Sequence, residues 1–390
     1  MRPFCLYQSR HNHLGSFELC PRGSRYVGRD AKCQNAPRHR VSGECERAPE
    51  MSTMLRTRGW SWGTRPSACR AIADLSFTVE GQSFQSVLDT GSPFALVGTC
   101  VGRRKQIGRC SGYCDRYGCA SGSIGTYSGL DDNTIVFSGA RVDAAWRRGQ
   151  VCVGAACLQG ITFGVVGDTQ SFGGNAGGQN FGLIRTANLG DKDIRPTFLS
   201  QTPFNSFVVD LRETGNECLQ LMQSLPLKNN SVKLSLVDLR EYGAPVVYYA
   251  VRVRALVFDG VDVLAGDTVV AVLDTGTTGL LLTEALFDQY DDVRRATAQR
   301  GLPFGNVEVT LGDSADSEIR LSLRRKDSPA YGGAKFDVVT SIPEEGGSIY
   351  YRAEQANPTI RRPSTIFLGL GFLLGQRISI DTQRMQVQFG

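Results

Sequence analysis

The sequence predicts a mainly β protein made of two similar lobes, and three observations carry that expectation. From about residue 72 the chain consists of short runs rich in Val, Ile, Leu, Phe and Thr, broken by Gly and Asp. That is the texture of strands joined by tight turns. The pattern Val-Leu-Asp-Thr-Gly occurs twice, in VLDTGSPFALV at 87–97 and in VLDTGTTGLLL at 272–282, with its threonines 185 residues apart. The best helical segment, TEALFDQYDDVRRATAQR at 283–300, has few rivals. Two copies are too few for a solenoid, so the repeat marks a duplicated lobe. A length of 390 residues suits two such lobes.

The elements follow in chain order. Residues 1–70 show no sustained apolar period and are scattered with Gly, Pro, Arg and Cys, so an irregular leader is expected there. The first lobe is expected over 71–212. It opens with LSFTVEGQSFQSVLDTG: a strand, a turn at Glu80-Gly81-Gln82, and a second strand that delivers Asp89. An inter-lobe segment, 213–245, leads to the second lobe at 246–390. There YYAVRVRALVFDGVDVLAG repeats the alternation around a turn at Phe258-Asp259-Gly260, ahead of the strand that ends at Asp274. The helix is expected to open at Thr283 and to close before Gly301. No run approaches the 18 apolar residues of a membrane-spanning helix, and no secretory signal follows Met1, Met51 or Met54.

Composition excludes several chemistries. The three histidines, His11, His13 and His39, all precede residue 40. Ser-His-Asp or Cys-His nucleophiles, His-ligated zinc and HExxH chemistry are therefore absent from the body. The net charge of +5 divides unevenly: residues 1–70 hold 13 Lys and Arg against 5 acids, and residues 71–390 hold 30 against 33. The basic character belongs to the leader, and the body offers no basic face for nucleic acid. Arg103-Arg104-Lys105 and Arg324-Arg325-Lys326 are expected to be solvated loops.

Each Asp-Thr-Gly has a physical reading. An apolar pair, Val87-Leu88 or Val272-Leu273, carries the aspartate from a buried strand into a turn. Glycine permits close backbone approach, and the threonine hydroxyl can fix the turn by hydrogen bonding. One such tripeptide is an ordinary turn. Two copies on duplicated halves would bring both carboxylates to a pseudo-two-fold axis, where they cannot both ionise easily and share one proton. One then acts as base toward water while the other polarises a carbonyl, which is amide hydrolysis without imidazole or metal.

On these residues the chain resembles the pepsin-like aspartic proteases. DTGS at 89–92 and DTGTT at 274–278 are similar to that family's two active-site loops. FNSFVVDL at 204–211, YYAVRVRALVFDGVDV at 248–263 and IFLGLGFLLGQRISIDTQRMQVQFG at 366–390 resemble further segments in the family's order. The resemblance covers about residues 72–390 and implies a bilobal double-barrel fold with a cleft between the lobes. It implies an aspartic endopeptidase, monomeric and without cofactor, acting on an extended polypeptide. Asp89 and Asp274 would form the dyad. Ser92 and Thr277 would bond the outer carboxylate oxygens, and Thr90 and Thr275 would cross-link the loops, with Gly91 and Gly276 beside them. Tyr117, in YGCASGSIGTYSG at 117–129, is the candidate for the family's flap tyrosine, with Cys119 at the unshifted position and Tyr127 as a further option.

The departures are specific. Leu96 stands where many members place a tryptophan. Asn180-Phe181-Gly182 matches the first lobe's hydrophobic-hydrophobic-Gly with a polar residue in the first place, and Leu370 stands where Asp often follows the second. Cys100, Cys110, Cys114, Cys119, Cys152 and Cys157 follow the first loop, and residues 100–119 resemble the Cys-rich insertion of the plant nepenthesin-like branch. Disulfides are expected for them, with a Cys-ligated zinc module as the alternative, and oxidised pairs would imply a secreted or endomembrane, vacuole-like setting. Asn229-Asn230-Ser231 is a glycosylation sequon or an unused loop. The leader reads either as the basic pro-segment of a zymogen or as a misassigned start. The rival function is a non-catalytic binding protein on the same scaffold, like the plant xylanase-inhibitor-like proteins.

Overall fold

The computed structural model describes residues 24–25, 34–35 and 51–58 and, with gaps of one or two residues, 72–100, 114–167, 179–185, 195–213, 217–225, 231–300, 306–323, 339–342 and 361–390. The chain divides into two compact units. Leu6–Pro49 is one, and its described residues are the antiparallel pair β1 (Ser24–Arg25) and β2 (Gln34–Asn35). The other runs from Glu50 to Gly390, together with Met1–Cys5, and holds every residue considered below.

This larger unit is mainly β, as the sequence predicts. After β3 (Met51–Arg58), β4 (Ile72–Val79) and β5 (Gln82–Asp89) form the first hairpin. Its turn residues Glu80 and Gly81 have φ of 49° and 75°, the paired positive values whose twist matches that of the strands they join. Then come β6 (Ala95–Gly98), β7 (Thr126–Tyr127), β8 (Asn133–Phe137), and the long hairpin of β9 (Ala140–Val153) with β10 (Ala156–Val166). Strand β11 (Asn180–Gly182) runs parallel to β5 and antiparallel to β6, which sets Gly182 opposite Asp89. The first half closes with β12 (Ser206–Asp210), β13 (Glu217–Met222) and β14 (Val232–Ser235).

The second half repeats the pattern. Strands β15 (Ala250–Phe258) and β16 (Val261–Asp262) turn through Asp259 and Gly260 with φ of 46° and 85°. Strand β17 (Val269–Leu273), buried at every position, ends one residue before Asp274. It is followed by β18 (Leu280–Leu282), helix α1 (Glu284–Gln299), β19 (Val307–Ser314), β20 (Ser317–Ser322) and β21 (Val339–Ser341). Strand β22 (Ser364–Leu368) is parallel to β17 and antiparallel to β18, as β11 is to β5 and β6. A short helix, α2 (Leu370–Leu373), precedes β23 (Arg377–Asp381) and β24 (Gln386–Phe389).

Two sheets result, of 14 and 8 strands. The larger carries Asp89 and the smaller leads to Asp274. Their apolar faces bury a shared core that includes Phe77, Phe84, Phe181 and Phe198 from the first half and Phe258 and Tyr290 from the second. Helix α1 begins at Glu284 directly after Thr283, and Phe287 N–H bonds the Thr283 carbonyl.

Two boundaries differ from the sequence expectation. Strand β3, inside the expected leader, lies in the large sheet between β13 and β4, pairing Leu221 with Met51 at one end and Ile72 with Arg58 at the other. Strands β23 and β24, expected in the second lobe, join the large sheet through β12, with Phe207 opposite Ile380. Backbone pairing with distant partners decides both placements, and local pattern does not register it. Arg103-Arg104-Lys105, Arg324-Arg325-Lys326, Cys110 and Asn229-Asn230 lie outside the described residues.

Candidate active site

The two aspartates meet. Asp89 ends β5, whose residues alternate between buried and part-exposed before the buried Leu88, and Asp274 follows the fully buried β17; each aspartate is 7% exposed. The missing Cβ atoms explain how they approach. A Cβ on Gly91 would lie 2.5 Å from Asp274 Cγ, and a Cβ on Gly276 would lie 2.5 Å from Asp89 Cγ. Each glycine thus vacates the space that the opposite carboxyl fills, and only glycine fits there.

The threonines fix this arrangement from below. Thr90 Oγ1 donates to the Leu273 carbonyl at 2.7 Å, and Thr275 Oγ1 donates to the Leu88 carbonyl at 2.7 Å. Each hydroxyl also accepts the opposite backbone N–H, Thr275 N at 3.0 Å and Thr90 N at 3.1 Å. The four bonds tie both strand ends together across 185 residues of sequence. Gly182 and Gly369 support the loops from behind: Gly182 N–H bonds the Phe94 carbonyl at 2.9 Å, and Gly369 N–H bonds the Gly279 carbonyl at 2.8 Å. A side chain on Gly182 would collide with the backbone of Ser92 and Pro93.

Each carboxyl has its own donors. Gly91 N–H donates to Asp89 Oδ1 at 2.7 Å, and Gly276 N–H donates to Asp274 Oδ1 at 2.8 Å. Thr277 Oγ1 donates to Asp274 Oδ2 at 2.7 Å. The expected mirror contact from Ser92 is replaced. Asn180 Nδ2 donates to Asp89 Oδ2 at 2.5 Å and reaches Ser92 Oγ at 2.8 Å. The longer amide on β11 spans the gap and takes the carboxylate, leaving the serine as its neighbour.

Burial pushes Asp274 well above the usual carboxylate range, and the charge of Asp89 pushes in the same direction. The Thr277 hydroxyl and Gly276 amide oppose this, while a hydrogen bond between the two carboxyls adds to it. Two carboxyls in contact, one of them holding its proton, can give and take a proton at neighbouring points.

Tyr117 is placed elsewhere. It lies in the turn closed by the Cys114–Cys119 disulfide, and the adjoining Gly118 packs on the backbone of Ser83 and Phe84. Ser83 is near the start of β5 and Asp89 at its end, roughly 20 Å away at the rise of a strand. Gln179 holds this turn through a 2.8 Å bond to the Gly118 carbonyl. Cys119 is committed to its disulfide, and Tyr127 is 62% exposed on the short strand β7. The strands that pack beside the Asp89 loop are β8 and β9, whose Ile135 and Trp146 share a buried cluster with Phe94 and Leu96.

Three contributors escaped the sequence. Trp146 on β9 is fully buried, packs edge-on against Phe94, shares a cluster with Leu96 and donates to Asn133 Oδ1 at 2.7 Å. An indole therefore occupies the neighbourhood of Leu96, supplied by another strand. Tyr249, also fully buried, sends its hydroxyl from the second half to the Leu183 carbonyl and packs on Phe207. Asn180 was visible only as a departure from pattern.

Among the described cysteines, Cys114–Cys119 and Cys152–Cys157 form disulfides, Cys100 is also disulfide-bonded, and Cys218 is buried outside these pairs. Sulfurs bonded in pairs are not metal ligands, and among the described residues no group of three or more His, Cys, Asp or Glu is placed to hold a metal. These disulfides are compatible with an extracellular or secretory-pathway setting. No helix among the described residues is long and apolar enough to cross a membrane. A scan of protein-family models matches none, and a search of curated proteins finds no match.

Proposed function

We propose that this protein is an aspartic endopeptidase. The observation that carries the reading is the reciprocal fit of Asp89 and Asp274, each seated where the opposite glycine lacks a side chain. In the reaction, the ionised carboxylate takes a proton from water as its oxygen bonds the amide carbon. The protonated carboxyl gives its proton to the carbonyl oxygen as the C=O electron pair moves there. As the tetrahedral intermediate collapses, one of its hydroxyls returns a proton to the dyad and C=O reforms, the C–N bond breaks, and the amine leaves with a proton from the dyad.

The substrate class, an extended polypeptide, follows from the resemblance to pepsin-like proteases, as do a monomeric state and a secretory or vacuole-like site of action. A histidine-free body and a dyad sharing one proton both fit this chemistry. The part of the basic leader that precedes Met51 is assigned the role of a pro-segment.

The test is cleavage of unfolded protein substrates from acidic to neutral pH, before and after acid incubation, by wild type and by Asp89→Asn and Asp274→Asn. Each substitution is expected to lower kcat/KM by about 10²–10⁴-fold or more. Equal cleavage by the variants would refute the dyad. A folded wild type that cleaves nothing would leave a binding protein on this scaffold.

A further inference from the structure

The two halves of the site differ at one matched position. Asn180 on β11 lies opposite Val87 and Leu96, and Phe367 on β22 lies opposite Val272 and Leu281. One half carries a hydrocarbon there and the other an amide, and that amide contacts a carboxylate. The donors at the two aspartates therefore differ in kind. Asp274 Oδ2 meets the hydroxyl of Thr277, which can donate or, by rotating, accept. Asp89 Oδ2 meets an NH₂ group, which can only donate. Flipping the amide would set its oxygen against a carboxylate oxygen, so the NH₂ group is the one that faces Asp89. Its second contact, to Ser92 Oγ, holds the amide in that pose. With Gly91 N–H on Oδ1, both oxygens of Asp89 face N–H donors, whereas Asp274 keeps a partner able to receive a carboxyl proton.

We propose that Asn180 is a positioning residue of the dyad: by donating to Asp89 and bracing on Ser92, it assigns the shared proton to Asp274 and leaves Asp89 as the base. This rests on the aspartic-protease reading above. Asp89 then receives the proton of the attacking water, and the proton held by Asp274 passes to the carbonyl oxygen. Hydrogen bonds to the charged form favour ionisation, and the amide contact exists in the singly and doubly ionised dyad but is weakened when both carboxyls are protonated. Asn180 therefore acts on the lower protonation step of the pair and leaves the upper step in place.

The experiment uses the full chain with Asn180→Leu and, should that variant fold poorly, Asn180→Ser, whose side chain is too short to reach the carboxylate. The acid limb of the kcat/KM profile is expected to move up by about one pH unit, the size of one hydrogen bond to a charged group, while the alkaline limb stays. A second measurement follows the carboxyl ¹³C signals of Asp-labelled protein, with the dyad identified by the signals lost in Asp89→Asn and Asp274→Asn. The lower step should shift upward by the same amount. If wild type cleaves and neither limb nor ¹³C step moves in the Asn180 variants, the assignment fails and the protease reading stands. A shift of both steps together would also overturn it, since that marks a general rearrangement. If wild type cleaves nothing but the ¹³C step moves as stated, the protease reading falls and the assignment of the proton survives.

Discussion

At the scale of single residues, Gly91 and Gly276 are constrained by the other half of the molecule. Neither has a positive φ, so backbone freedom is not the reason for glycine. The reason is the carboxyl carbon that a Cβ would meet at 2.5 Å. Gly91→Ala and Gly276→Ala are expected to separate the two aspartates while the flanking strands remain paired. Kinetics should then show kcat/KM down by about 10²-fold or more, the cost of roughly an ångström of misplacement. Thermal unfolding should show a loss of about 1–3 kcal/mol from overpacking. The aspartates, threonines and glycines were legible in the sequence because the motif is local and repeated. Asn180 was not, because its partner lies 91 residues away and one strand register decides whether they meet. Tyr249 escaped for the same reason, since its acceptor is 66 residues distant.

At the scale of elements, the short hairpins were readable from turn chemistry: Glu80-Gly81 and Asp259-Gly260 sit where the alternating pattern pauses, and the structure gives both pairs positive φ. Strand β3 was not readable. Its eight residues carry little apolar pattern, and what places them is the unpaired edge that β13 and β4 would otherwise expose to each other. A chain that begins at Glu50 should therefore be more stable than one that begins at Arg70. Denaturant titration should show a lower midpoint for the shorter chain, and equal midpoints would mean that β3 contributes nothing to the sheet. If the leader is a pro-segment, the cut that frees the enzyme must fall before Met51. Local pattern does not locate a flap tyrosine because tyrosine beside glycine is a common turn, whereas the hairpin next to the Asp89 loop is marked by Trp146 and Asn133 across its base.

At the scale of the whole molecule, the dyad makes stability depend on pH in an unusual direction for a carboxyl. The folded protein holds the Asp274 proton more tightly than an unfolded chain does. This contribution is fully present below the ordinary carboxylate range and is lost as pH rises through the elevated folded value. Asp274→Asn removes the ionisable group, so the variant should melt above wild type at neutral pH. The difference should vanish in acid, and scanning calorimetry at both pH values checks it. A variant less stable than wild type at neutral pH would show that the carboxylate carries a favourable contact outweighing its burial. The two-lobe plan was readable from the repeat, but the assignment of strands to sheets was not, because β23 and β24 cross back to β12 in the first half.

That crossing also sets an order of events during synthesis. Asn205, just before β12, receives the Thr382 hydroxyl across 177 residues. Both aspartate loops have left the ribosome once residue 278 is clear of the exit tunnel, yet the sheet that carries Asp89 lacks β23 and β24 until residues 377–389 follow. Pairings of such sequence separation form slowly and late. A nascent chain can therefore hold both Asp-Thr-Gly loops before the strands that complete the sheet around Asp89 are in place.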